Sequence, residues 1–91
     1  GNRKGGSVTT LHRIVEDRVD ALEFQVGKGL WFLGQPLMKL QLKPGTLLAC
    51  INRKGRSIIP GGSDTIEAGD SVIVVATADR AIHDLSDIFL D

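Results

Sequence analysis

The chain has 91 residues, and its eleven Lys and Arg residues balance eleven Asp and Glu residues, so its formal net charge is zero. That length makes one small domain with a modest core, burying roughly 60–65% of the surface its unfolded chain exposes. No apolar run approaches the ~20 residues that span a bilayer, and a single cysteine, Cys50, excludes an internal disulfide framework and suits a reducing cytoplasm.

Residues 1–7 are Gly-rich and basic and read as a disordered linker or tag remnant, with the folded domain expected over 8–91. Val8–Ile14 is β-prone, and Glu16-Asp17-Arg18 reads as a polar turn. Over Val19–Val26, Leu22, Phe24 and Val26 alternate with Ala21, Glu23 and Gln25, the period of a half-buried strand. These two segments predict a hairpin with Leu22, Phe24 and Val26 facing inward, ended by Gly27-Lys28-Gly29.

Leu30-Trp31-Phe32-Leu33 places four bulky apolar residues in what reads as a loop. They either fold over the core or form a partner surface, and Trp31 and Phe32 are the candidate dimer contacts. Gln35–Leu40 predicts a short helix with Pro36 in its first turn, and Leu37 and Leu40 on one face. Lys43-Pro44-Gly45 predicts a sharp turn. Leu47–Asn52 reads as a strand and turns at Lys54-Gly55 into Ser57–Ile59, which Pro60-Gly61-Gly62 ends. Gly69 should take the left-handed position of a tight turn before Ser71–Ala76, whose β-branched run Val72–Val75 marks a central strand. A final helix is expected, capped by Asp79, with Ile82, Leu85 and Phe89 as its stripe and Ile88 and Leu90 widening it toward a partner. The fold class is therefore α+β, a mainly antiparallel sheet packed with two helices in the order β-β-α-β-β-β-α.

Charge is segregated although the total is neutral. Lys28 to Ser63 holds six bases (Lys28, Lys39, Lys43, Arg53, Lys54, Arg56) and no acid, whereas Asp64 onward holds seven acids and only Arg80 as a base. Either the two blocks solvate or face each other, or the basic block forms an anion site. Nucleic acid is disfavoured as a partner, because the chain lacks a basic excess and has three Phe, one Trp and no Tyr for stacking.

No catalytic constellation is visible, and the chain is expected not to be an enzyme. Cys50 sits in an apolar strand and reads as a small hydrophobe. His12 and His83 lie in different elements, and no serine has the context of a triad. Asp64, Glu67 and Asp70 match no EF-hand spacing and read as turn formers, and no zinc set exists. Gly61-Gly62 and Gly27-x-Gly29 lack the phosphate-loop fingerprint.

Taken in order, several segments resemble the TrkA_C (RCK_C) regulatory domain of bacterial potassium-uptake proteins. They are Val26-Gly27, Gln35–Leu40, Lys43-Pro44-Gly45-Thr46-Leu47-Leu48-Ala49-Cys50-Ile51-Asn52-Arg53, Gly55–Pro60 and Thr65-Ile66-Glu67-Ala68-Gly69-Asp70-Ser71-Val72-Ile73-Val74. The resemblance covers roughly Val19 to Phe89. It implies a cytoplasmic, ligand-sensing homodimer, peripheral to the inner face of the membrane, controlling a TrkH/TrkG-like potassium transporter subunit. A sensing domain fused to another cation or anion transporter is the alternative. It also implies that NAD or ATP belongs to a separate Rossmann domain and not to these residues. Some relatives bind cyclic di-AMP at the dimer interface, and by position that site falls on Leu37, Met38, Gln41, Lys43, Thr46 and Leu47. This chain departs from them in carrying Gln41-Leu42-Lys43 where they have an acid-x-arginine pair, and Thr46 where they have asparagine. Lysine meets a phosphate as a point charge, without the two-pronged grip of arginine.

Overall fold

The computed structural model describes the backbone of residues 6–14 and 18–90, and side chains over 18–90. Five strands occur close to the segments expected from the sequence: β1 (Gly6–Ile14), β2 (Val19–Val26), β3 (Thr46–Arg53), β4 (Arg56–Ile58) and β5 (Ser71–Thr77). They form one antiparallel sheet in the order β1-β2-β5-β3-β4. β1 begins at Gly6, so Gly6 and Ser7 belong to the sheet and not to a linker over 1–7. Residues 1–5 lie outside the described residues, as does most of the polar turn expected at Glu16-Asp17-Arg18.

β5 is the central strand, as its β-branched run predicted. Its Val72, Val74 and Ala76 face the core beside Leu22, Phe24 and Val26 of β2 and Leu48 and Ile51 of β3, and all are buried. Burial of this face fixes the register, because a slip of one residue would turn every apolar side chain toward water. At roughly 25 cal/mol per Å² of apolar surface, each fully buried Val, Leu, Ile or Phe contributes about 1.5–3 kcal/mol.

The second layer is irregular, and this corrects the expected order: neither α-helix forms. Gln35–Leu40 yields one 3₁₀ turn, Leu37–Lys39, between Pro36 and Leu40, both extended (ψ 134° each). The cause is tertiary. The Leu37 N–H donates to the Asp64 carbonyl (2.9 Å) and the Met38 N–H to the Gly62 carbonyl (2.9 Å), so distant loop carbonyls satisfy the donors that a helix start leaves free. With so few residues, a helix would not recover its nucleation cost.

The second segment gives a 3₁₀ turn over Leu85–Ile88, entered from an extended Asp84. Asp79 caps no helix; a hydrogen bond from the Thr77 side chain holds its carboxyl below the usual range. The Asp87 carboxylate accepts the His83 and Asp84 N–H groups (2.9 and 3.0 Å), a local turn that competes with helix. The predicted stripe is nonetheless buried, since Ile82, Leu85 and Phe89 all reach the core. Ile88 is also fully buried and so is not a partner contact, while Leu90 remains 42% exposed.

Two turns confirm local readings. Lys54-Gly55 closes the β3–β4 hairpin with both residues at positive φ (51° and 78°), the twist that a two-residue hairpin requires. Gly69 sits at φ 90° ahead of β5.

Candidate functional site

The irregular layer leaves an apolar pocket of about 230 Å³ at the β3 side of the sheet. Its walls come from three sources. The first 3₁₀ turn and the chain after it give Leu37, Met38, Leu40 and Leu42, β3 gives Leu47 and Leu48, and Pro60-Gly61-Gly62 with Phe89 complete it. No charged side chain lines it. At Gly62 a Cβ would lie 3.1 Å from the Met38 Cβ, a tight contact that Met38 would have to ease by a few tenths of an ångström.

Of the six residues expected to form a ligand site, Leu37, Met38 and Leu47 line this pocket. Met38 and Leu47 are 68% and 59% exposed, and Ile59, just ahead of the Pro60 wall, is 82% exposed. Gln41, Lys43 and Thr46 are not on its walls; their backbone groups and the Thr46 hydroxyl make hydrogen bonds beside it. The Gln41 carbonyl accepts the Leu90 N–H (2.8 Å), and the Lys43 N–H donates to the Ile88 carbonyl (2.8 Å). These bonds flank the antiparallel bridge between Leu42 and Phe89 and hold Phe89 against the pocket. The Thr46 N–H and hydroxyl both donate to the Lys43 carbonyl, which closes the Lys43-Pro44-Gly45 turn.

The two candidate dimer contacts separate. Phe32 is fully buried, so it belongs to the monomer core and is corrected as an interface residue. Trp31 is 54% exposed and packs edge-on against Phe32 and Phe89, with ring centroids 5.6 and 5.5 Å apart. It therefore sits beside the aromatic ring that lines the pocket.

The loop that walls the pocket is pinned by an ion pair between residues that the sequence had assigned to separate roles. Asp70 is 1% exposed, and both its oxygens receive Arg53, through Nε and Nη2, each at 2.8 Å. The Glu67 N–H donates to the same carboxylate (2.8 Å), and Arg53 Nη2 also reaches the Thr65 carbonyl (2.8 Å). Burial pushes the Asp70 carboxyl up, but the Arg53 guanidinium and the Glu67 N–H together outweigh it and hold the group below its ordinary range. Arg53 thus leaves the expected anion block. The separation of 17 residues leaves no periodic signal from which this pair could have been read.

The other acids of the loop are also engaged. An Asp64 oxygen accepts the Gly61 N–H (2.7 Å), and Glu67 accepts the Thr65 hydroxyl, so the three carboxylates do not converge. Cys50 is half-buried, with Sγ 3.7 Å from the Asn52 Oδ1. Among the described residues, no helix is long and apolar enough to cross a membrane.

The fold and site together define a small antiparallel-sheet domain with an apolar pocket beside its sheet. The family profile of the TrkA-C domain matches residues 21–90, and the chain belongs to that family. It is similar to the K(+)/H(+) antiporter NhaP2 of Shewanella sp. (strain MR-4), at 30% identity over 72% of this chain and 11% of that protein. It is also similar to the Trk system potassium uptake protein TrkA homolog 1 of Methanosarcina mazei, at 29% identity over 85% of this chain and 17% of the relative. NhaP2 of Shewanella oneidensis is 34% identical over 65% of this chain and 10% of that protein. The chain thus spans under a fifth of the length of these relatives, and the domain occurs in both a potassium uptake protein and K(+)/H(+) antiporters.

Proposed function

We propose that this chain is the regulatory domain of a potassium-transport protein, dimerising and sensing a ligand on the cytoplasmic side of the membrane. The observation that carries the reading is the family match across residues 21–90, shared with proteins named for potassium uptake and for K(+)/H(+) exchange. In the first form of the proposal, the domain belongs to a TrkA-type protein that controls a TrkH/TrkG-like membrane subunit. In the second, it is part of an antiporter polypeptide, a reading favoured by the NhaP2 relatives.

The ligand would enter the apolar pocket against Leu37, Met38 and Leu47, with Gln41, Lys43 and Thr46 supporting its rim. Trp31 supports a dimer contact beside it, being a half-exposed aromatic on the same side of Phe89. Control would follow if the ligand prefers one of two subunit arrangements, since it can shift that equilibrium only by its difference in affinity. Cyclic di-AMP is the first ligand to try, and Lys43 the charge that would meet its phosphate. NAD or ATP would bind a Rossmann domain and not this pocket.

The test is ion flux. Removing residues 21–90 from the complete protein should change the rate or regulation of rubidium uptake in potassium-starved cells. Unchanged flux and unchanged response to external potassium would sink the proposal. Calorimetry with cyclic di-AMP tests the ligand separately, with Lys43→Ala expected to weaken binding.

A further inference from the structure

The walls of the pocket offer a ligand little to hydrogen-bond. The N–H groups of Leu37, Met38 and Leu40 already donate to the carbonyls of Asp64, Gly62 and Leu37, at 2.9, 2.9 and 3.0 Å. The Phe89 N–H donates to the Ser86 carbonyl (3.3 Å) and the Gly61 N–H to the Asp64 carboxylate (2.7 Å), while Pro60 has no N–H to give. No charged side chain stands on the walls, and among the described residues every buried side-chain N or O has a partner. A phosphate or carboxylate taken inside would give up water for no counter-charge and few free donors.

Size and wall chemistry narrow the occupant further. A cavity of about 150 Å³ lined by aliphatic and aromatic side chains takes up a benzene ring. This pocket, at about 230 Å³, is half as large again, which is the scale of two fused rings. One wall is aromatic: Phe89 lies in a cluster with Phe32 and Trp31, at ring-centroid distances of 4.7 and 5.5 Å. Another is Met38, whose unbranched side chain runs along the Gly61-Gly62 loop, with Cβ and Cε 3.1 and 3.3 Å from where a Gly62 Cβ would stand. That side chain is 68% exposed, so it has room to change rotamer around an entering ring. A flat ring meets both the Phe89 ring and the Met38 sulfur, contacts that an alkyl chain does not return.

We infer that the pocket takes an uncharged, flat, apolar molecule of two fused rings, of which indole is the simplest soluble probe. The inference rests on the reading of this pocket as the domain's ligand site and names the chemistry of what enters it. Apolar burial supplies the affinity, Phe89 and Met38 select a ring over a chain, and the uncharged walls keep anions out.

The experiment titrates indole into the 91-residue chain carrying labelled Leu and Met methyl groups, followed by nuclear magnetic resonance. The methyl signals of Leu37, Met38 and Leu47 should shift together, with a Kd of about 0.1–1 mM. Because the ligand is neutral, that Kd should change less than about twofold between roughly 50 and 500 mM salt. Benzene and 1-hexanol should each bind at least about threefold more weakly, and Leu47→Asp, which charges an exposed wall residue, should weaken indole about fivefold or more. No shift at the pocket methyls at about 10 mM indole, shifts scattered over the surface, or hexanol binding as tightly as indole would each overturn the inference. Rubidium flux separates this result from the regulatory role. Indole binding with flux unaffected by removal of residues 21–90 sinks that role and leaves the inference standing, and altered flux without indole binding does the reverse.

Discussion

Replacing Asp70 with Asn removes the charge that pins the pocket wall while hardly changing side-chain volume. Asn retains an oxygen for the Glu67 N–H, so the loss falls on the two bonds of 2.8 Å from Arg53. Truncating one member of a fully buried pair costs about 3–5 kcal/mol. Asp70 is 1% exposed but the Arg53 side chain is 34% exposed, so water recovers part of the guanidinium's loss and the expected cost falls to about 2–3 kcal/mol. For a domain of this size that lowers Tm by roughly 10–20 °C. The pH dependence has a definite sign. The folded carboxyl titrates below its unfolded value of about 3.9, so its contribution is complete above that range and fades as pH falls through the folded value. Urea unfolding followed by circular dichroism should show the wild type and Asp70→Asn about 2–3 kcal/mol apart near pH 7 and converging below about pH 4. A difference under about 0.5 kcal/mol, or one that stays constant on acidification, would refute the role assigned to this pair.

Three further outcomes are expected. Lys54→Asn relieves a lysine held at φ 51° and should stabilise the domain by about 0.5–1 kcal/mol in the same unfolding assay, with no gain if the turn is unstrained. Phe32→Ala should cost about 3–5 kcal/mol, whereas Trp31→Ala, half-exposed and edge-packed, should cost only about 1–2, and equal costs would contradict the core assignment of Phe32. Sedimentation equilibrium should find a dimer at roughly hundreds of micromolar, shifted toward monomer by Trp31→Ala; a strict monomer counts against the dimer, and an unshifted dimer against Trp31 as its contact.

The strands were legible because their information is local. The alternation of Leu22, Phe24 and Val26 and the run Val72–Val75 report directly which face is buried and which strand is central. The helices were misread because their competitors are not local: the carbonyls of Gly62 and Asp64 that capture the Leu37 and Met38 N–H groups lie more than twenty residues away. The same limit hid the Arg53–Asp70 pair, whose members had seemed a free base and a turn former. Trp31 and Phe32 differ completely in exposure although they are neighbours, since a loop of tight turns has no period that could assign them faces. Half of the six residues that the resemblance implied, Leu37, Met38 and Leu47, line the pocket. The resemblance missed Phe89 and the Pro60–Gly62 wall, which reach the site only through tertiary packing.

The central claim is that this apolar face regulates potassium transport, and the most direct test keeps the fold while changing the face. Met38 and Leu47 are exposed enough that Met38→Asp and Leu47→Asp should leave stability within about 1 kcal/mol of the parent. Rubidium flux should then be measured in cells carrying each variant in the complete protein at matched expression. Altered dependence of flux on external potassium, with normal protein level and unfolding midpoint, is the predicted result. Flux indistinguishable from wild type for both variants would contradict the account.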